Sequence, residues 1–441
     1  MNSFFRGTVI LVCAAFLGEC VEFFVNMQLA RELKEEGMGV FMSLMPIIFF
    51  LMILATLEMP VSISKYIAEN KRDTHLSLLR HALKLGLQAT LVMVVLIAIA
   101  SVVPSAFSRF PNHIQWLLFA FIPIAAFSSI ARGYFMGIQE MGKIAISNIL
   151  RKTAQLLLLL LVFQLFDYDQ ETSLLLAIGT LIGSEFLVLL YLFSLFLIHI
   201  RGLKSISNQE LTETEARKKL LSVSVPTVGL RVFHALTNAV QPFLIQAALI
   251  RSGFTEVSAT EHFGVLMGVS MSIGFFPAFI AHSLMVTLIP NVSDAYARLD
   301  GKKLHALLHQ SMWVTMLYGT VSIFFMHMFA EKLTSLFFAS SVAPFYLKLL
   351  WPYFLFHFFI TPLQAYLIGI GLVKDAFLHS VWSHVFAFGA LFVLGSMPSM
   401  SMDGVIIGLN FGAVLQAVLH YFTVTKRIGS RVWLLPWRVE L

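Results

Sequence analysis

Twelve stretches of roughly twenty predominantly apolar residues, separated by short polar segments, leave this chain few ways to fold. They run near 7–28, 40–62, 83–107, 115–138, 144–166, 172–197, 222–250, 262–288, 307–329, 348–371, 376–396 and 404–425. A bilayer core about 30 Å thick is crossed by about 20 helical residues, so each stretch is long enough to span it. The fifth is the most polar, because Arg151 and Lys152 interrupt it. A water-soluble fold could not hide a 441-residue chain that is 58% hydrophobic and 12% charged, with mean hydropathy +0.83. Soluble domains carry about 25% charged residues. The expected fold is all-α: a polytopic membrane protein of about twelve transmembrane helices.

A pI of about 9.2 would suit a nucleic-acid binder, but the cations lie between the apolar stretches, as topology determinants do. With the N-terminus inside, 23 of the 30 Lys and Arg residues fall on cytoplasmic segments. Six fall outside (Arg31, Lys34, Arg109, Arg251, Lys332 and Lys348), and Arg231 falls within a helix. Both termini are therefore expected in the cytoplasm, with no nucleic-acid partner. No small-residue cleavage site follows a short apolar core, so the first stretch reads as an uncleaved helix rather than a signal peptide. Cys13 and Cys20 share one face of that helix and read as small apolar residues; no disulfide framework or zinc spacing exists.

The stretches form two sets of six. Gly133-Tyr-Phe-Met-Gly-Ile ends the fourth helix and Ala365-Tyr-Leu-Ile-Gly-Ile the tenth, an offset of 232 residues. Pro60 to Tyr66 and Pro290 to Tyr296 leave the second and eighth at an offset of 230. Two landmarks agreeing on one repeat length predict an internal duplication. Six helices per repeat is an even number, so both copies share one orientation, related by a rotation of roughly 180° about the membrane normal with a substrate path between them. The expected domains are an N-terminal lobe at 1–200, a cytoplasmic linker at 201–219, and a C-terminal lobe at 220–441 ending in a short cytoplasmic tail.

Ionisable residues at membrane depth are costly and mark interior pathways. Arg231, with His234 one turn away, would suit a pyrophosphate or acidic sugar, because guanidinium binds phosphate bidentately; the structural alternative is pairing with a carboxylate. Arg151 and Glu185 are further pathway candidates, with a structural ion pair as the alternative. Arg151 and Lys152 cannot share a face, so one is expected to look inward while the other snorkels to the interface. Glu19 and Glu22, adjacent on one face, are candidates for coupling to H+ or Na+, because paired carboxylates raise the pKa of at least one; their alternative is solvation near the outer headgroups. Gly133-x-x-x-Gly137, Gly179-x-x-x-Gly183 and Gly264-x-x-x-Gly268 are expected to permit close helix contact rather than to bind phosphate. No metal site, cofactor site or catalytic residue is expected.

Leu57-Glu-Met-Pro-Val-Ser-Ile-Ser-Lys-Tyr-Ile-Ala-Glu resembles the G-L-P-x-A-I-S-K-x-x-A-E stretch of the polysaccharide-transporter and stage V sporulation protein B group. Ser128-Ser-Ile-Ala-Arg-Gly-Tyr-Phe-Met-Gly-Ile-Gln-Glu-Met is similar to its R-G-Y-x-x-G-x-x-x-M segment. Phe263-Gly-Val-Leu-Met-Gly and Pro277 through Leu288-Ile-Pro-Asn-Val-Ser resemble its eighth helix. The group belongs to the multidrug/oligosaccharidyl-lipid/polysaccharide (MOP) exporter superfamily, which shares the two-lobed MATE-like fold. The resemblance implies a flippase of the bacterial plasma (inner) membrane, not an enzyme. It would move a lipid-linked oligosaccharide, or a spore-cortex or peptidoglycan-type precursor, by alternating access. Two departures stand out. The two further C-terminal helices that help lipid II flippases accommodate a long lipid tail have no counterpart here, which weakens the case for that lipid. Where the group often has an acid and then an arginine in the fifth helix, this chain has Arg151 and Gln155. The rival readings are an ion-coupled multidrug exporter of the same superfamily and a membrane-embedded transferase recruiting His234, His357, His379, His384 or His420. Either transporter reading implies an amphipathic substrate and membrane lipids as partners.

Overall fold

The computed structural model describes residues 3–70, 72–102, 113–165, 168–203, 212–340 and 342–429, and among them every regular element is helical. In chain order these are α1 (Ser3–Thr56), α2 (Met59–Glu69), α3 (Arg72–Val102), α4 (Ile114–Gly137), α5 (Met141–Leu165), α6 (Gln170–Leu203) and α7 (Glu213–Arg251). Then come α8 (Glu256–Gly264), a π-helical segment Val265–Met271, α9 (Ser272–Phe275), α10 (Ala278–Ala297), α11 (Gly301–Met328) and α12 (Ala330–Ser335). The last are α13 (Ala343–Leu349), α14 (Trp351–Gly369), α15 (Val373–Gly395) and α16 (Met402–Ile428). Among the described residues seven helices are long and apolar enough to cross a bilayer, or nine when each of two bent pairs counts as one span. The first, Ala15–Glu69, covers 55 residues and holds two of the expected stretches. They meet at Lys34, whose φ of 57° and ψ of −168° lie outside the helical region, so α1 is two helices end to end. α7 and α11 carry the remaining two stretches, and the chain is a multi-pass membrane protein. Leu87 and Leu91 on α3, Leu157 and Leu161 on α5, and Phe324 and Phe325 on α11 lie exposed, a surface that lipid accepts and water does not.

Three boundaries differ from the sequence reading. The eighth span bends by 55° between Glu256–Phe275 and Ala278–Ala297, because Pro277 has no N–H to continue the helix. The tenth bends by 50° between Ala343–Leu349 and Trp351–Gly369, where Pro352 occupies the first turn of α14. The seventh helix begins at Glu213 rather than near 222. The cause is a reciprocal cap: Glu215 N–H donates to Thr212 Oγ1 and Thr212 N–H to a Glu215 carboxylate oxygen, both at 3.3 Å. Much of the expected 201–219 linker is therefore helix. Residues 204–211, the Cys13 side chain and the tail bearing Arg431 and Arg438 lie outside the described residues.

The chain forms two compact units, Gln28–Pro242 (the N-terminal unit) and Met1–Met27 with Phe243–Leu441 (the C-terminal unit). The expected lobes, 1–200 and 220–441, divide it elsewhere: residues 1–27 pack within the C-terminal unit and 213–242 within the N-terminal one. Phe16 and Phe23 of α1 lie against Phe276, with centroids 6.1 and 5.6 Å apart. Ala216 and Leu220 of α7 are buried in the core that α2, α3, α4 and α6 form.

The duplication is visible inside each unit. In the N-terminal unit α4 packs on α2, α3 and α6, and α5 on α6. In the C-terminal unit α14 packs on α10, α11 and α16, and α15 on α16. The two landmark turns close alike. Ile138, Gln139 and Glu140 donate backbone N–H groups to Tyr134, Met136 and Phe135. Ile370, Gly371 and Leu372 donate to Tyr366, Ile368 and Leu367, 232 residues on in every case. The glycines explain the close crossings. A Cβ on Gly137 would stand 2.5 Å from that of Ile67, and one on Gly369 2.8 Å from that of Val292. Gly179, expected to permit such a contact, has nothing within 4 Å of its missing Cβ.

Candidate functional site

Charge inside the N-terminal unit gathers at two places. The first lies between α1 and α2. Leu57 and Glu58 both adopt left-handed conformations, with φ of 47° and 50°, a strain costing about 1–3 kcal/mol per residue. Pro60 in the first turn of α2 then restarts the helix. The turn leaves the Glu58 side chain 6% exposed. A carboxylate so buried needs a partner, and Arg231 of α7 supplies it: Nη1 lies 3.0 Å from Oε1. The Arg231 side chain is itself 62% exposed, so the pair presents a cation outward over an acid held inward. His234, one turn along α7, is half-buried, its ring 5.5 Å from that of Phe233.

The second place joins α4, α5 and α6. Ser128 and Arg132 stand one turn apart on α4, and both face Glu185 of α6. Ser128 Oγ donates to Glu185 Oε1 at 2.9 Å, and Arg132 Nη2 lies 3.7 Å from the same oxygen. Arg151 of α5 adds its positive field at Arg132, and Gln155, one turn further on, is buried. One guanidinium thus faces the carboxylate, and a second lies close enough to act on the first. Arg132 Nε and Nη2 are buried without a hydrogen-bond partner among the described residues, so the cluster holds surplus donors and surplus positive charge.

The R-G-Y segment is explained residue by residue. Arg132 meets Glu185; Gly133 and Gly137 let α2 approach, a Cβ on Gly133 falling 2.8 Å from Pro60 Cα. The Tyr134 and Phe135 rings lie 6.1 and 5.4 Å from that of His199 on α6. Just beyond, in the loop after α4, Glu140 pairs with Lys143 and lies 3.4 Å from His199 Nε2. The Lys143 hydrogen bond in particular holds the Glu140 carboxyl below its ordinary range.

Of the residues singled out from the sequence, Arg151 and Glu185 come together through Arg132, one of the 23 cations assigned to cytoplasmic segments. Arg231 and His234 share α7, while the partner of Arg231, Glu58, went unnoticed. Its one signal was an acid two residues before Pro60 within an apolar stretch. Lys152, beside Arg151, is also half-buried. Glu19 and Glu22 lie in the C-terminal unit, half-buried on α1 near Cys20, a free thiol. Among the described residues no three His, Cys, Asp or Glu side chains are placed to hold a metal ion.

Residues 4–254 match the family model described as polysaccharide biosynthesis protein, and residues 265–393 the MatE model. The chain is 47% identical to the sporulation protein YkvU of Bacillus subtilis (strain 168), over 98% of each chain. It is 31% identical to stage V sporulation protein B of the same organism, over 96% of this chain and 84% of that one. In fold it is similar to the inward-facing conformation of a multidrug resistance MATE family transporter of the MOP superfamily. The TM-score is 0.73 at 15% identity, over 96% of this chain and 98% of that one.

Proposed function

The chain belongs to the polysaccharide biosynthesis protein family, in the stage V sporulation protein B-like group of the MOP exporter superfamily, and we propose that it flips a lipid-linked oligosaccharide or a cell-envelope precursor across the plasma membrane by alternating access. The superfamily assignment makes it a membrane transporter. The observation that carries the finer reading is Arg231, an exposed guanidinium on α7 held in place by a buried acid. A lipid-linked sugar carries phosphate at the junction of glycan and lipid. A planar cation held in one orientation binds that phosphate with two parallel hydrogen bonds. The Arg132–Glu185–Arg151 cluster gives the same unit a second positively biased position for an anionic head group. A multidrug exporter selecting cations would want the opposite sign at both places.

Purified protein in liposomes containing fluorescent polyprenyl-diphosphate sugars should move label between leaflets, measured by the fraction open to an impermeant quencher. Flipping no faster than in empty liposomes would end this reading. The charge bias further predicts cytoplasmic termini and linker. A single cysteine placed at 204–211 should resist an impermeant maleimide in intact cells and react in inverted vesicles. Labelling in intact cells would reverse the topology.

A further inference from the structure

The C-terminal unit holds a histidine pair apart from the proposed substrate site, whose residues lie in the N-terminal unit. α15 and α16 are antiparallel and unusually close, because Gly404, Gly408 and Gly412 put no side chain between them. A Cβ on Gly408 would fall 2.4 Å from Leu391 N, and one on Gly412 2.5 Å from Ala387 Cβ. The same register brings His379 against His420. Their Nδ1 atoms are 3.0 Å apart, and His379 Nε2 lies 3.1 Å from Thr423 Oγ1. His420 is 0% exposed, and its Nε2 has no hydrogen-bond partner among the described residues. We propose that His379 and His420 form a binding site for a single proton within the C-terminal unit, through which a proton gradient acts on the transporter.

Two lone pairs cannot face each other at this distance, so one proton already lies between the Nδ1 atoms. The neutral pair carries two protons on four ring nitrogens. When His420 donates from Nδ1 and His379 donates from Nε2 to Thr423, the vacant nitrogen is His420 Nε2. When His379 donates from Nδ1 and Thr423 donates to His379 Nε2, the remaining proton sits on His420 Nε2 and the vacant position is His379 Nε2. Either way the chain Thr423–His379–His420 has room for one more proton. The imidazolium so formed donates its Nδ1–H to a neutral neighbour, a charge-assisted bond roughly twice as strong as a neutral one. A second added proton would set two N–H groups against each other and is excluded.

Burial opposes a charge on either ring; among the described residues, the carboxylate that offsets it is Asp375, one turn before His379, which acts on His379 alone. Of the helices packed against α15 and α16, α14 presents Tyr366, whose hydroxyl donates to the Leu304 carbonyl. α11 presents His305, bonded to the Ile428 backbone, and α13 presents Tyr346, engaged by His262. Coupling of the site to lipid movement rests on the transport reading above; proton binding itself does not.

The test is a 15N titration of histidine-labelled full-length protein in nanodiscs. Two imidazoles should shift together with the uptake of one proton. His379→Gln and His420→Gln should each abolish the shared transition, not half of it. Thr423→Val, which leaves both rings in place, should displace the transition without removing it. Rings that stay neutral from about pH 4 to 8, or that titrate independently, would overturn the site. In liposomes a one-unit pH gradient should shift the wild-type lipid distribution about tenfold and leave His420→Gln unmoved. Flipping indifferent to the gradient overturns the coupling. If no variant flips lipid at all, the transport reading fails and the titration alone decides the site.

Discussion

Transport by an Arg231→Ala variant should fall to the background of empty liposomes. A hydrogen bond to a charged group contributes about 1.5–3 kcal/mol, so losing a two-bond grip on phosphate weakens head-group binding more than about a hundredfold. Alanine also deprives buried Glu58 of its 3.0 Å partner, and the single variant should melt earlier for that reason alone. Adding Glu58→Gln removes the stranded charge while keeping the side-chain shape. The double variant should therefore recover the wild-type melting temperature and still not transport. Arg231→Lys should retain the pairing but lose most transport, since an ammonium cannot make the planar double contact. Normal flipping by the double variant would reduce Arg231 to a structural partner of Glu58.

The largest stability effect is expected at Glu185. Its carboxylate accepts from Ser128 and faces Arg132, whose Nε and Nη2 already lack partners among the described residues. Removing one member of a buried pair costs about 3–5 kcal/mol, because the other charge is stranded. Arg132 is 28% exposed, which places the Glu185→Ala loss near the lower end, about 3 kcal/mol. Replacing both residues by leucine should restore most of that stability, as read by thermal melts of the purified protein. Stability without transport in the double variant assigns the pair to the substrate path; recovery of both assigns it to the scaffold.

The helices were legible because twelve apolar stretches of span length admit no other solvent than lipid. The bends were harder. Pro277 sits in its sequence like Pro123, which α4 accommodates inside a helix, and only packing decides which proline breaks one. The duplication was readable from two landmarks, and the matching turns at Ile138 and Ile370 repeat it in their hydrogen bonds. The α15–α16 contact has a pattern, Gly404-x-x-x-Gly408-x-x-x-Gly412, that went unread beside three other glycine pairs. Glu58 and Arg132 were missed for a shared reason. Each lies near a helix end, where the hydropathy of a span fades and an ion looks solvated. Its burial depends on helices far away in sequence.

The exchange of residues 1–27 and 213–242 between units also fixes an order of manufacture. About 250 residues separate Phe23 from Phe276, against which it packs. At about 5–20 residues per second, the ribosome needs roughly 13–50 seconds to close that interval. Throughout it Phe23 lacks the ring against which it packs in the finished protein. The N-terminal unit has all its parts once Pro242 has emerged. The C-terminal unit draws one helix from before the N-terminal unit and the rest from after it, so it can assemble only around a helix that was made first and has waited.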